Sequence, residues 1–328
     1  GWVECDVAVT RDLQLVCRHS QCDLHTTTDV LQRPELRAKC SEPFAPAAGG
    51  RPARAKCCTY DFTLQEFKSL CGLMDGQVNE EAAAPEDLYA GPPVWRAQGE
   101  AGTCAEVMSH AESAALFRRR GVNAVPELKN TMDDPGLLAL LDRWGLSKLD
   151  LGDLLVRELV EAGYAFAAGA PEYGRLGNKA VLQTFDWDLA RHWARSAGLP
   201  VCYLYKTREA QALVGLDDAR MEEAAALGVE YLGPPLWDVV QGDARGRIVP
   251  TPRARRAKAL GLGLMPWTLE RSGCPDGRPG ACGTYYKSVG RAAFEYSDIL
   301  RVLKALLHDV GADAVFSDYP ITTTAFAN

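Results

Sequence analysis

The chain has 328 residues, enough for one large domain with a sizeable insertion or for two domains. Hydrophobic residues make up 47%, which supports a substantial buried core. Lys and Arg total 36 against 43 Asp and Glu, a formal net charge of −7. That balance argues against a nucleic-acid-binding surface, but it leaves room for an anionic small substrate where a bound cation inverts the local charge.

The chain starts at Gly1 and is already strand-like at Trp2, so a further N-terminal piece is expected upstream. No run of eighteen apolar residues occurs, so no transmembrane segment is expected. Of eleven cysteines, Cys5, Cys17 and Cys202 sit in apolar strand-like runs and read as buried free thiols. Cys22, Cys40, Cys57, Cys58, Cys71, Cys104, Cys274 and Cys282 lie in loops or at loop edges. These eight read as disulfides of an oxidising compartment, since the CxxC pairs of a zinc ribbon are missing. Cys274 and Cys282 flank turn residues that bring them within bonding reach. Cys71 with Cys104, and Cys22 with Cys57 or Cys58, are further expected pairs.

In chain order, Trp2–Val9 alternates and is rich in strand formers. Leu15–Arg18 is a second, short strand. Residues 20–110 are irregular, with a flexible Ala45–Lys56, a helix over Asp61–Leu73 and an acidic Pro/Gly-rich stretch from Asp75 to Gly102. So long a stretch without regular structure reads as an inserted subdomain. Helices and strands then alternate. Helices are expected at Ala111–Arg120, Pro135–Gly145, Leu149–Ala162, Trp187–Ala197, in short pieces through Ala226, at Pro252–Leu260 and at Ser297–Val310. Strands are expected at Asn123–Leu128, Lys179–Phe185, Pro200–Lys206, Val229–Gly233, Leu264–Glu270 and Ala312–Asp318. Such alternation implies a parallel sheet with right-handed crossovers. Without the short strand there are seven main strands where a closed (β/α)8 barrel has eight, so the first is expected upstream of Gly1. No Gly-rich phosphate loop follows a strand, which disfavours an open doubly wound sheet.

Glu4 and Asp6 are two apart on a strand and share a face. Two such carboxylates repel unless a proton, a basic side chain or a metal offsets them, and oxygen donors suit Ca²⁺ or Mg²⁺. The alternative is a solvated strand end. His19 follows the short strand, where an imidazole serves as general acid or base, or simply as a surface residue. Glu127 and Lys129 close Asn123–Leu128. They read as a third oxygen ligand and a phosphate clamp at the C-terminal end of a parallel strand, or as a plain ion pair.

Taken together these residues resemble the glycerophosphodiester phosphodiesterase family. The matching text is Glu4-Cys5-Asp6, Arg18-His19-Ser20, Pro126-Glu127-Leu128-Lys129, Gln183-Thr184-Phe185, Pro266-Trp267-Thr268-Leu269 and Ser317-Asp318-Tyr319-Pro320, in the family's order. Cys22–Asp29, Lys56-Cys57-Cys58 and Phe62–Lys68 resemble the insertion of a secreted subgroup. The chain departs from the family's pattern at Ser20 and Glu270, and it has no His-Arg-Gly.

The resemblance implies a (β/α)8 TIM barrel over 1–19 and 111–328, with the first strand upstream and residues 20–110 as an inserted subdomain after the second strand. It implies one divalent cation, Ca²⁺ or Mg²⁺, held by Glu4, Asp6 and Glu127. His19 is then one of two acid–base imidazoles, and Lys129, Gln183, Phe185, Trp267 and Glu270 contact a small glycerophosphodiester. The expected reaction is hydrolysis to an alcohol and glycerol 3-phosphate, in a secreted protein or an oxidising lumen. Without the family's second imidazole, the chain from Gly1 is expected to turn over poorly. Two rival readings are a non-catalytic barrel that binds metal and phosphodiester, and a phospholipase D-like lipid hydrolase resembling the spider-toxin enzymes.

Overall fold

The computed structural model describes residues 1–328 apart from 94–95, 97–103, 130, 165–178, 207–216, 272–282, 291, 293–295 and 328. The chain divides into two units, Gly1–Leu199 and Pro200–Asn328.

The first unit opens on β1 (Trp2–Val9), where Cys5 and Val7 are buried while Glu4 is exposed, the two-residue period of a strand with two unlike faces. β2 (Leu15–Cys17) folds back antiparallel on it, with Val7 opposite Cys17 and Val9 opposite Leu15. This hairpin corrects one expectation: Cys5 and Cys17 are not free thiols but a disulfide, their Cα atoms 5.5 Å apart. Antiparallel pairing brings Cys17 to the face that Cys5 shares with Val7, and that spacing is within bonding range.

Residues 20–110 then build α1 (Leu24–Thr27), α2 (Pro34–Arg37), the hairpin β3 (Glu42–Ala45) and β4 (Arg54–Lys56), α3 (Leu64–Lys68), and the antiparallel pair β5 (Cys71–Gly72) and β6 (Ala105–Glu106). Leu24, Val30, Phe62, Phe67 and Leu88 form an apolar cluster there, joined by Ala8 and Val16 of the hairpin. Three disulfides close it: Cys22–Cys58, Cys40–Cys57 and Cys71–Cys104. Cys202 is buried, and Cys274 and Cys282 lie outside the described residues. The single helix expected over Asp61–Leu73 is instead a 3₁₀ turn, Thr59–Asp61, followed by α3. Thr63 starts α3 afresh with an extended backbone and a capping box with Glu66. The Ser69 hydroxyl then turns back to the Glu66 carbonyl at 2.6 Å, where the helix ends.

Next come α4 (His110–Arg119), β7 (Asn123–Leu128), α5 (Pro135–Arg143), α6 (Lys148–Glu161), β8 (Leu182–Thr184) and α7 (Trp187–Ser196). Ser109, Asp134, Ser147 and Asp186 cap these helices, each cap contributing about 1 kcal/mol. Gly152 lets α6 approach α7, since a Cβ there would lie 2.5 Å from Leu189 and 2.9 Å from the buried Trp193. β1, β7 and β8 are parallel, in the order β8-β7-β1-β2 with the hairpin strand last. All six residues of β7 are buried, as befits a strand covered on both faces.

The second unit contains β9 (Val201–Leu204), α8 (Asp218–Leu227), β10 (Tyr231–Gly233), the hairpin β11 (Val240–Gly242) and β12 (Ile248–Pro250), α9 (Pro252–Ala259), β13 (Gly263–Leu264), α10 (Ile299–Lys304) and α11 (Pro320–Ala327). β9, β10 and β13 are parallel, in that order. Gly228, at φ 80°, ends α8 in the left-handed conformation glycine tolerates. Two expected strands are cut down. Leu264–Glu270 is regular only at Gly263–Leu264, because Pro266 has no N–H to give a ladder. Ala312–Asp318 is no regular strand: Asp313 N and Phe316 N reach Leu264 O and Pro266 O at 2.9 and 3.0 Å. The Asp313 carboxylate, not a carbonyl, takes Leu264 N at 2.9 Å, so a side chain replaces a ladder bond.

Candidate active site

Three neighbouring parallel strands carry the polar cluster of the first unit. Asp6 on β1 is the register partner of Glu127 on β7, and Glu127 is the partner of Gln183 on β8. The three therefore stand side by side on one face, with Glu4 two residues behind Asp6 on the same face. One oxygen from each of Glu4, Asp6 and Glu127 lies within 4.8 Å of the others. Burial deepens from Glu4, which is exposed, through Asp6 to Glu127, 4% exposed. Lys129, just past the end of β7, sets its ammonium 2.9 Å from Asp6 Oδ1 and 2.7 Å from Glu127 Oε2. The Gln183 amide donates to Glu4 Oε1, while its own Oε1 is buried without a hydrogen-bond partner among the described residues.

The electrostatics follow from this crowding. Glu4 is exposed as a residue, but enclosure of its carboxyl among Asp6, Glu127 and Gln183, then the charges of Asp6 and Glu127, push that carboxyl well above the usual carboxylate range; Lys129 and Gln183 pull it back. Burial lifts Glu127 to about 8, although Lys129 opposes the rise. Burial works against the Lys129 charge, but Glu127 and Asp6 outweigh it and hold the ammonium above its ordinary value. Three carboxyl groups face one ammonium in a poorly solvated place, so ionising all three calls for a further cation. The all-oxygen donor set, the spacing and the unpartnered Gln183 oxygen fit a hard divalent cation.

His19 follows β2 and is exposed. The residue before it, Arg18, donates its backbone N–H to Asp6 O at 2.7 Å, so the turn bearing His19 starts beside the carboxylate strand. Phe185 is partly buried just after β8. Trp267 and Glu270 belong to the second unit. Trp267 donates its indole N–H to Gly233 O at 2.8 Å and meets Trp237 and Tyr285 edge-on, at 5.9 and 5.7 Å between ring centres. Glu270 is 4% exposed, and its carboxylate accepts from Asp318 N at 2.9 Å and from the Ser317 hydroxyl, which ties it to the chain near 317. The site residue that sequence reasoning missed is Gln21, fully buried between the ends of β1 and β7. A polar residue two places past His19 was its only signal.

Parallel strands joined by helices, with acids and a lysine gathered on one face, define an α/β protein with a polar site on its sheet. The profile of the Glycerophosphoryl diester phosphodiesterase family matches residues 2–322, and the chain belongs to that family. It is 28% identical over 259 residues to a protein of Arthroderma benhamiae described as an extracellular protein, covering 78% of this chain and 98% of that one. Among solved structures it resembles a Silicibacter pomeroyi DSS-3 protein carrying the family designation, with TM-score 0.58 and 19% identity over 98% of this chain and 82% of that one. It also resembles an Oleispira antarctica phosphodiesterase solved with the product sn-glycerol-3-phosphate, with TM-score 0.50 and 16% identity over 99% of this chain and 84% of that one. These likenesses give the fold class, an α/β TIM barrel. Among the described residues no helix is long and apolar enough to cross a membrane.

Proposed function

We propose that this protein is a divalent-metal-dependent phosphodiesterase that cleaves glycerophosphodiesters into an alcohol and glycerol 3-phosphate. The observation that carries the reading is the shared face of Glu4, Asp6, Glu127 and Lys129. Family membership and the glycerol phosphate complex of the Oleispira antarctica relative support the substrate class. Glu4, Asp6 and Glu127 would hold the cation, Ca²⁺ or Mg²⁺. When bound, it would supply positive charge to the phosphoryl oxygens. Lys129 adds a second positive contact to the same group, in a site dry enough for that contact to count. Gln183 orients Glu4 through its amide. His19 moves one proton, to the leaving oxygen or from the attacking one. Phe185 shapes the substrate's surroundings.

We assign residues 20–110 to an inserted subdomain, because three disulfides and most of an apolar cluster lie within that span. The disulfides and the extracellular relative support secretion. The test is release of glycerol 3-phosphate from glycerophosphocholine by the full-length protein, measured with a coupled assay in Mg²⁺, in Ca²⁺ and after metal stripping. Turnover that needs a divalent cation supports the reading. Turnover by the stripped protein, or none with either metal in a folded, disulfide-intact protein, overturns it.

A further inference from the structure

In a parallel ladder a residue on one strand donates its N–H to the neighbour before its partner and accepts from the neighbour after it. Lys129 falls opposite Ala8 when the register Val7–Leu128 is extended by one. The first of its two ladder bonds is present, Lys129 N to Val7 O at 3.0 Å. The second would run from Val9 N to Lys129 O. Gln21 stands in its place: Val9 N donates to Gln21 Oε1 at 3.1 Å, and Gln21 Nε2 donates to Lys129 O at 3.2 Å. One carboxamide thus acts as an inserted peptide group between β1 and β7, at the residue where Lys129 leaves the sheet.

The wedge is itself fixed. Gln21 and Thr59 are both 0% exposed. Thr59 N donates to Gln21 O at 2.7 Å, and the Thr59 hydroxyl donates to Val9 O at 2.7 Å while lying 3.1 Å from Gln21 Oε1. The flanking Cys22–Cys58 bond ties together the residues next to both. Only a side chain with a donor and an acceptor on one planar group meets Val9 N and Lys129 O at once. Asparagine is one methylene too short, and glutamate lacks the donor.

We propose that Gln21 is a positioning residue: by replacing the last β1–β7 ladder bond it fixes the Lys129 backbone so that the ammonium spans Asp6 and Glu127 and meets the phosphoryl group of the substrate. Through Gln21 and Thr59, the segment 20–110 is coupled to the site. The inference rests on the reading of Lys129 as a phosphoryl contact.

The experiment is a double-mutant cycle read by phosphate affinity. Gln21→Leu, Gln21→Glu, Lys129→Ala and both double variants are loaded with Mg²⁺ after a check of thermal unfolding. Inorganic phosphate is then titrated as a competitive inhibitor of glycerophosphocholine hydrolysis, and its binding is also followed by calorimetry. Each Gln21 variant is expected to weaken phosphate about tenfold and to raise KM by a similar factor with a smaller change in kcat, as loss of a substrate-holding contact requires. In the Lys129→Ala background the Gln21 substitutions should add less than about twofold, because their effect runs through Lys129. Equal factors in both backgrounds, or unchanged phosphate affinity in folded Gln21 variants, would overturn the inference while the phosphodiesterase reading stands. Failure of both variants to fold assigns Gln21 to structure alone and also overturns it. A wild type that binds no phosphate and hydrolyses nothing removes both.

Discussion

The β1–β7–β8 face and the segment 20–110 are held together by opposite means. On the sheet face, Glu4, Asp6 and Glu127 crowd within 4.8 Å, and two of them carry raised pKa values, so the fold keeps an arrangement that costs stability. The segment 20–110 has short helices and two-residue strands, too little regular structure for its length, and relies on a dry apolar cluster and three disulfides. The difference teaches where stability and function separate. Substitutions on the face should cost activity and leave the fold intact; substitutions in the segment, away from Gln21 and Thr59, should do the reverse.

The comparison breaks most sharply at the acids. Glu4→Ala and Glu127→Ala should each lower turnover by about a thousandfold or more, roughly 4 kcal/mol, and abolish the calorimetric signal of one divalent cation. Metal-free Glu127→Gln should unfold at the same temperature as wild type or higher at pH 7, since folding there must return a proton to a carboxyl that is ionised in the unfolded chain. A clear loss of metal-free stability in that variant would show Glu127 to be structural.

His19→Ala should lower turnover by about two to four orders of magnitude with metal affinity unchanged, because the proposed function has the imidazole move a proton and leaves the metal to the three acids. Retention of most activity would remove it from the mechanism. In the segment, Cys40→Ser with Cys57→Ser opens a loop of 17 residues and should cost about 2–4 kcal/mol in urea unfolding, with metal affinity unaltered. A metal site lost in parallel would erase the distinction between the two regions.

The smallest expected effect is at Asp23. Burial raises its carboxyl from 3.8 to about 6; Arg18 opposes the rise, Asp75 adds to it, and Ser20 N and the Thr27 hydroxyl donate to the carboxylate. The folded state therefore binds the proton more tightly than the unfolded chain. Stability from this group is present below about pH 4 and is lost as the pH rises through 6, by at most about 3 kcal/mol. Asp23→Asn should flatten that part of the stability profile between pH 4 and 7. An identical slope in the variant would show that other groups set it.

Local chemistry was enough for much of this molecule. Alternation over Trp2–Val9 set a strand with Glu4 and Asp6 on one face, and the six-residue run Asn123–Leu128 placed Glu127 near its end. The strands and helices that held their expected places have strong periodicity or a capping residue at their start, as at Pro135–Arg143 and Trp187–Ser196. Expectation failed where partners lie far along the chain. Cys5 and Cys17 look like buried thiols until β2 is known to fold back on β1. Ala312–Asp318 alternates like a strand, but the Asp313 side chain takes a bond that a strand would have made. Gln21 has no pattern of its own; its role exists only because β1 and β7 end on either side of it.

By itself, then, the sequence determined which residues can carry charge and metal, which faces of β1 and β7 they share, and the family to which they belong. These depend on side-chain type and on backbone period, both local quantities. The tertiary structure alone decided which cysteines pair, that Lys129 bridges Asp6 and Glu127, and that a glutamine amide stands where a ladder bond would be. Those depend on the distance between segments as far apart in the chain as Asp6 and Lys129, which folding sets through packing and register rather than through any one residue's preference.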